Sequence, residues 1–225
     1  MTKAVSKQLL PIYDKPLIYY PPSMLLLAGI REVLIISTPD DMPVYQRLFG
    51  TVRKSVFAWN IKCRIRREDW LFILGENFIG DDSVCLILGD NVFFGQNMSQ
   101  TLWKVMDKIN DNSGACIYGY PVKDARAFAV VEFDEENKIV SIKEKPAHPR
   151  SNYAVPELYF YDNRVIEIAK NVEPSVRGKI EITALNNANL ELGELNVQLL
   201  GRGVAWLDTG TPEDMLKAAV FVEAV

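Results

Sequence analysis

The stretch Leu86-Ile-Leu-Gly-Asp-Asn91 decides how the rest of the chain is read. The apolar run from Val84 to Leu88 stops at Gly89, and a carboxylate and an amide follow at once. Short apolar runs of this kind are the buried strands of parallel sheets. In open α/β sheets, ligands gather beyond the carboxyl ends of such strands. Asp90 therefore stands where a hard cation and a phosphate would be handled. Further along, Ala205-Trp-Leu-Asp-Thr-Gly210 repeats the arrangement: an apolar approach, an aspartate, then glycine. Asp90 and Asp208 delivered in this way could share one Mg²⁺, which takes one or two carboxylates plus substrate phosphate oxygens. The same residues also suit a simpler role, in which each aspartate caps a helix or closes a turn.

Outward from these two segments, apolar patterning sets the element order. Toward the N-terminus it predicts a helix over 23–29 closed by Gly29, a buried strand over 33–37 and a short helix over 43–49 closed by Gly50. Residues 59–66 alternate, with Ile61, Cys63 and Ile65 on one face and Lys62, Arg64 and Arg66 on the other, as in a half-exposed strand. The run 70–74 reads as a helix ending at Gly75. After the decisive strand comes an amphipathic helix over 99–109, with Leu102, Val105, Met106 and Ile109 in register. A strand over 115–120 and a hairpin over 128–144 follow, then a strand over 157–161 and helices over 164–171 and 181–192. Strands over 195–200 and 204–207 and a helix over 212–222 close the chain. Strands alternating with helices, then a hairpin, give an α/β fold with a mixed sheet, mostly parallel with an antiparallel addition.

Composition narrows the function. At 225 residues, with no linker-like or low-complexity stretch, a single domain over 1–225 is expected. A formal net charge of −4 gives no global pull toward nucleic acid or an anionic membrane. Residues 53–67 carry six basic side chains and no acid, with Phe57 and Trp59 interleaved. That run suits a polyphosphate or nucleic-acid surface, or more simply the wet face of the alternating strand. Cys63, Cys85 and Cys116 are far apart, lack metal-ligand spacing and sit among apolar neighbours, so reduced core thiols and a cytoplasmic setting are expected. The only histidine, His148, lies in the loop Pro146-Ala-His-Pro-Arg150 and cannot by itself build a triad or a zinc site. There is no signal-like apolar region at the start, and no apolar stretch of membrane-spanning length. The absence of G-x-G-x-x-G disfavours a dinucleotide dehydrogenase.

Six motifs occur in one order: Ser6-Lys-Gln-Leu-Leu-Pro-Ile-Tyr-Asp-Lys-Pro16, Leu86-Ile-Leu-Gly-Asp-Asn91, Ile142-Lys-Glu-Lys-Pro146, Ser151-Asn-Tyr153, Leu158-Tyr-Phe-Tyr-Asp162 and Trp206-Leu-Asp-Thr-Gly-Thr211. Together they closely resemble the bacterial sugar-nucleotide pyrophosphorylases, over nearly the whole chain. The resemblance implies a three-layer, Rossmann-like nucleotidyltransferase fold of GT-A type. It implies a reaction in which a glucose 1-phosphate oxygen attacks the α-phosphorus of dTTP, with Mg²⁺ as cofactor and a homo-oligomer, a tetramer in the relatives, as the assembly. It implies that Asp90 and Asp208 hold the metal, that Lys7 reaches the nucleotide phosphates with Gln8 close by, and that Lys145 and Arg177 contact the sugar phosphate. Glu144 would accept hydrogen bonds from sugar hydroxyls, and Ala129, Val155 and Trp206 would line the substrates. Cations beside phosphates and a carboxylate beside hydroxyls are the side-chain types such chemistry uses. Each charge taken singly also fits an exposed, solvated surface.

The chain also departs from the family pattern. A glycine-rich G-G-x-G-T-R loop would stand ahead of Met1, and a C-terminal helical extension would follow Val225. The base-reading P-x-G-L-A-Q-A segment has its counterpart in Arg64-Ile-Arg-Arg-Glu-Asp-Trp-Leu71, which lacks the glycine and the glutamine. Ala129 and Glu157 replace family glycines. These differences leave a second expectation open: a catalytically impaired, truncated homologue that keeps the fold and a sugar-phosphate site.

Overall fold

The computed structural model describes residues 5–50, 58–63, 71–112, 114–173 and 181–225. In chain order its elements are β1 (Pro11–Ile12), β2 (Lys15–Pro16), α1 (Tyr20–Leu27), β3 (Glu32–Ser37), α2 (Met42–Phe49), β4 (Ala58–Cys63), α3 (Leu71–Ile79), β5 (Val84–Ile87), β6 (Asn91–Gly95) and α4 (Met98–Asn112). There follow β7 (Ala115–Pro121), β8 (Ala129–Phe133), β9 (Ile139–Glu144), β10 (Tyr153–Ala154), β11 (Leu158–Tyr161), α5 (Val165–Asn171), α6 (Ile182–Glu191), β12 (Leu195–Leu199), β13 (Val204–Asp208) and α7 (Pro212–Ala224). The chain forms two compact units, one from 1–65, 87–103 and 203–225, the other from 66–86 and 104–202.

In the first unit β3 and β4 pair in parallel, with Ile35 opposite Ile61, while β6 and β13 form an antiparallel ribbon. Ile12, Leu17, Val92 and Ala218 form one buried cluster in it, and the Tyr20 hydroxyl ties α1 to the Ile12 carbonyl at 2.8 Å. Helix α1 begins three residues earlier than the apolar pattern indicates, because Pro21 and Pro22 occupy its first turn, where a missing N–H costs nothing. Helix α7 starts as its sequence demands: the Thr211 hydroxyl accepts from the Asp214 N–H at 3.1 Å, and Pro212 follows.

In the second unit a seven-stranded sheet runs β5-β11-β7-β10-β8-β9, with β12 joined to β7. The mixed α/β sheet is the one the sequence indicates, but its antiparallel share is larger. Of the registers described, only β7–β12 and β3–β4 are parallel. Helices α3, α5 and α6 cover one face, burying Phe72, Val165, Ala169 and Leu185 against Ile117, Val131 and Tyr161. The Phe72 and Tyr161 rings meet edge to face at 5.3 Å. Gly75 does not end α3. It is buried mid-helix, and the stop comes at Gly80, whose φ of +56° is the left-handed conformation a helix terminus favours. A tight corner opens β7: Gly114 has φ +94°, and a Cβ there would collide with the Glu194 carbonyl oxygen. The Gly114 N–H donates to Asp162 at 2.6 Å, and Arg164 bridges Asp162 and Glu194.

The sequence reading gives residues 91–95 no strand, yet they form β6. The run is only three apolar residues long, and its partner β13 lies more than a hundred residues away, so no local period reveals it. The basic run at 53–67 falls mostly outside the described residues, with β4 the part of it that is described. No helix among the described residues is long and apolar enough to cross a membrane.

Candidate active site

The β6–β13 ribbon brings the two aspartates together. Asp208, the last residue of β13, stands opposite Asn91, so Asp90 and Asp208 emerge side by side at the same end of the ribbon. Thr209 locks this end: its N–H and its hydroxyl both donate to the Asp90 carbonyl, at 3.1 and 2.8 Å. Beneath, the Trp206 indole N–H donates to the Asn91 side-chain oxygen at 2.6 Å, and both residues are buried. The Asn91 carboxamide in turn reaches Asp90 at 3.3 Å.

A short 3-10 turn at Lys7–Leu9 supplies the cation. Lys7 Nζ lies 2.6 Å from Asp90 Oδ2, with about a fifth of each side chain exposed. Gln8 lies along the backbone before Asp90, where a Cβ on Gly89 would come within 3.0 Å of its Cγ, and its amide oxygen accepts from Ser6. The Asp208 carboxyl is raised above its ordinary value, first by burial and then by the neighbouring Asp90 charge, with Lys7 acting in the opposite direction. A half-buried carboxylate beside another is only partly offset by one ammonium, and a divalent cation is a charge that fits the pair. Among the described residues no group of three or more His, Cys, Asp or Glu converges; a Mg²⁺ held by two carboxylates would take its other ligands from water and phosphate.

The second unit assembles another set of the expected residues at the open end of the β8–β9 hairpin. Ala129 and Glu144 are opposite one another in register. The Val155 N–H donates to the Ala129 carbonyl at 2.8 Å, and the Lys145 N–H to the Phe128 carbonyl at 3.1 Å. Lys145 has φ +44°, a left-handed conformation that a side chain rarely adopts and that recurs at functional positions. Glu144 Oε2 accepts from the Thr183 hydroxyl of α6 at 2.7 Å. Arg177 lies outside the described residues. Thr183, Asn91 and Thr209 are the polar residues that sequence reasoning misses. The signal for Thr183 is a hydroxyl in the first turn of a helix, where a cap role is the obvious alternative.

Two further sequence expectations meet the structure here. His148 is exposed, as its loop implies, and the described thiols are buried or half-buried. Burial pushes the Cys116 thiol up to about 12.

The nucleotidyl transferase family profile matches residues 1–225, the full length. The chain belongs to this family. It is 52% identical to a glucose-1-phosphate thymidylyltransferase of Neisseria gonorrhoeae, over all of this chain and 78% of the relative. It is 47% identical to the protein of the same name in Mycolicibacterium smegmatis, over 100% of this chain and 77% of that one. Among solved structures, a Bacillus anthracis protein described as a glucose-1-phosphate thymidylyltransferase, bound to sucrose, superposes with a TM-score of 0.88 at 30% identity, covering 100% of this chain and 89% of its own. A UDP-glucose pyrophosphorylase with UDP-glucose shares the fold at TM-score 0.80 and 20% identity, covering 97% and 90%. This nucleotidyl transferase thus has the mixed α/β architecture of its neighbours, and the motifs that suggested the family from sequence lie within the matched region.

Proposed function

We propose that this nucleotidyl transferase moves a thymidylyl group from dTTP to glucose 1-phosphate, giving dTDP-glucose and pyrophosphate for nucleotide-sugar biosynthesis. The observation that carries the reading is similarity over the whole of this chain and 78% of the relative, at 52% identity, to a glucose-1-phosphate thymidylyltransferase. The side-by-side aspartates with an ammonium at one of them supply a chemistry consistent with it.

In the reaction a phosphate oxygen of the sugar attacks the α-phosphorus. The bond from that phosphorus to the bridging oxygen breaks, and pyrophosphate leaves with the electron pair. Catalysis of this kind consists of holding the two reactants in line and neutralising phosphate charge. Asp90 and Asp208 would hold Mg²⁺, which when bound supplies charge neutralisation at the phosphate oxygens. Asp90 also keeps the Lys7 ammonium beside the metal position, ready to meet a nucleotide phosphate, with Gln8 at its flank. Trp206 supports Asn91, and through it the aspartates, from within the ribbon. Glu144 accepts from sugar hydroxyls with its orientation set by Thr183, and Lys145 and Arg177 neutralise the sugar phosphate. Ala129 and Val155 supply the backbone wall of the sugar site. A cytoplasmic homo-oligomer belongs to the same proposal.

Incubation with glucose 1-phosphate, Mg²⁺ and each nucleoside triphosphate in turn, with chromatography of the products, tests the reading. Formation of dTDP-glucose from dTTP, at least tenfold faster than any other nucleotide sugar, is expected. A faster reaction with UTP overturns the thymidylyl assignment. No product with any triphosphate leaves the impaired homologue as the correct reading.

A further inference from the structure

Strand β9 ends the sheet order, so among the described residues the backbone groups of its outer edge have no neighbouring strand. Such an edge needs a cover, because unpaired N–H and C=O groups are costly when buried. In this chain α6 provides it through one side chain. Asn187 Oδ1 accepts from the Ile142 N–H at 3.0 Å, and Asn187 Nδ2 donates to the Ile142 carbonyl at 2.9 Å. The carboxamide thus copies the pair of hydrogen bonds a neighbouring strand would make. One helical turn earlier, Thr183 binds the Glu144 carboxylate at 2.7 Å. Residues four apart share a helix face, so α6 grips β9 twice on one side: its main chain at Ile142 and its side chain at Glu144. The neighbouring Asn186 accepts from the buried Tyr161 hydroxyl at 2.5 Å, which fixes the helix against the sheet.

We propose that Asn187 is a positioning residue for the sugar-phosphate site. It fixes the height and tilt of the β9 end, and so places Glu144 and the left-handed Lys145 that follows it, without touching substrate. The proposal rests on the reading of Glu144 and Lys145 given above. A purely structural amide would alter stability and both substrates alike. A positioning amide alters the sugar phosphate selectively, since Lys7, Asp90 and Asp208 belong to a different unit of the chain.

The test is steady-state kinetics with each substrate varied, on Asn187→Asp and Asn187→Leu, with Glu144→Gln as reference. Asn187→Asp is nearly the same size and can still accept from the Ile142 N–H, so it keeps the experiment readable if the leucine variant does not fold. Both Asn187 variants are expected to raise KM for glucose 1-phosphate about tenfold and to leave KM for dTTP within about twofold, the scale of a lost orienting contact. A lowered melting temperature with an unchanged KM for the sugar phosphate, or equal rises in both KM values, overturns the proposal while leaving Glu144 in place. A Glu144→Gln enzyme with an unchanged KM for the sugar phosphate overturns the assignment of Glu144, and the proposal with it.

Discussion

At Asp90 one carboxylate serves two partners, the Lys7 ammonium at 2.6 Å and the Asn91 carboxamide at 3.3 Å. Removing its charge should therefore cost far more in turnover than in stability. Asp90→Asn is expected to lower kcat by roughly 10²–10³, the scale of a lost electrostatic element in a transition state. Its unfolding free energy should fall by only about 1 kcal/mol, as for a partly exposed ion pair. Activity assays beside thermal melts check both. Lys145 yields a prediction of the opposite kind. Its φ of +44° is strained for any residue with a Cβ. Lys145→Gly should be about 1 kcal/mol more stable than Lys145→Ala, while both lose the ammonium and turn over slowly.

Cys116 gives a pH signature. Its thiol is pushed up to about 12 by burial, whereas an unfolded thiol ionises near about 8.5. The unfolded state then loses its proton first, so this group leaves stability unchanged below that value and lowers it as pH rises toward 12. A native sample at pH 8.5 should leave Cys116 unlabelled by iodoacetamide, with labelling only on unfolding, as mass mapping would show. At this scale the sequence reveals the chemical types but not the supports. Asp90, Asp208, Glu144 and Lys145 stand in motifs. Thr183 and Thr209 acquire their roles from partners 39 and 119 positions away, separations that no local pattern encodes.

Among the elements, β7 and β11 offer a paired test of buried hydroxyls. Both Tyr118 and Tyr161 are almost wholly buried. The Tyr161 hydroxyl donates to Asn186, whereas that of Tyr118 has no hydrogen-bond partner among the described residues. Removing a bonded hydroxyl strands its partner, while removing an unbonded one relieves a desolvation cost. Tyr161→Phe should destabilise the fold by about 1–3 kcal/mol, and Tyr118→Phe should be neutral or stabilising by up to about 1 kcal/mol. Chemical denaturation of the two variants separates them. Elements were legible where a long apolar period or a start signal was present, as in α4 and in α7 with its Thr211 cap. Gly75 misled because a buried glycine inside a helix and a terminating glycine look alike in sequence. β6 was invisible because its identity as a strand depends on β13. The antiparallel share of the sheet was underestimated for a related reason: strand order and direction arise from long-range pairing, while the pattern reports only that strands exist.

Across the whole molecule, the chain interleaves two units. The 87–103 and 203–225 segments return to the first unit after long excursions into the second. The two aspartates and Lys7 belong to the first, and Glu144 and Lys145 to the second. Each half of the proposed chemistry is thus built on its own frame: an antiparallel ribbon for the metal and the nucleotide, and a hairpin clamped by a helix for the sugar phosphate. Pyrophosphate release with dTTP, glucose 1-phosphate and Mg²⁺, with and without EDTA, tests the account at this level. Release that needs the sugar phosphate and stops with EDTA is the predicted result. Release that persists in EDTA contradicts the metal role of Asp90 and Asp208, and no release from a well-folded sample contradicts the transferase itself.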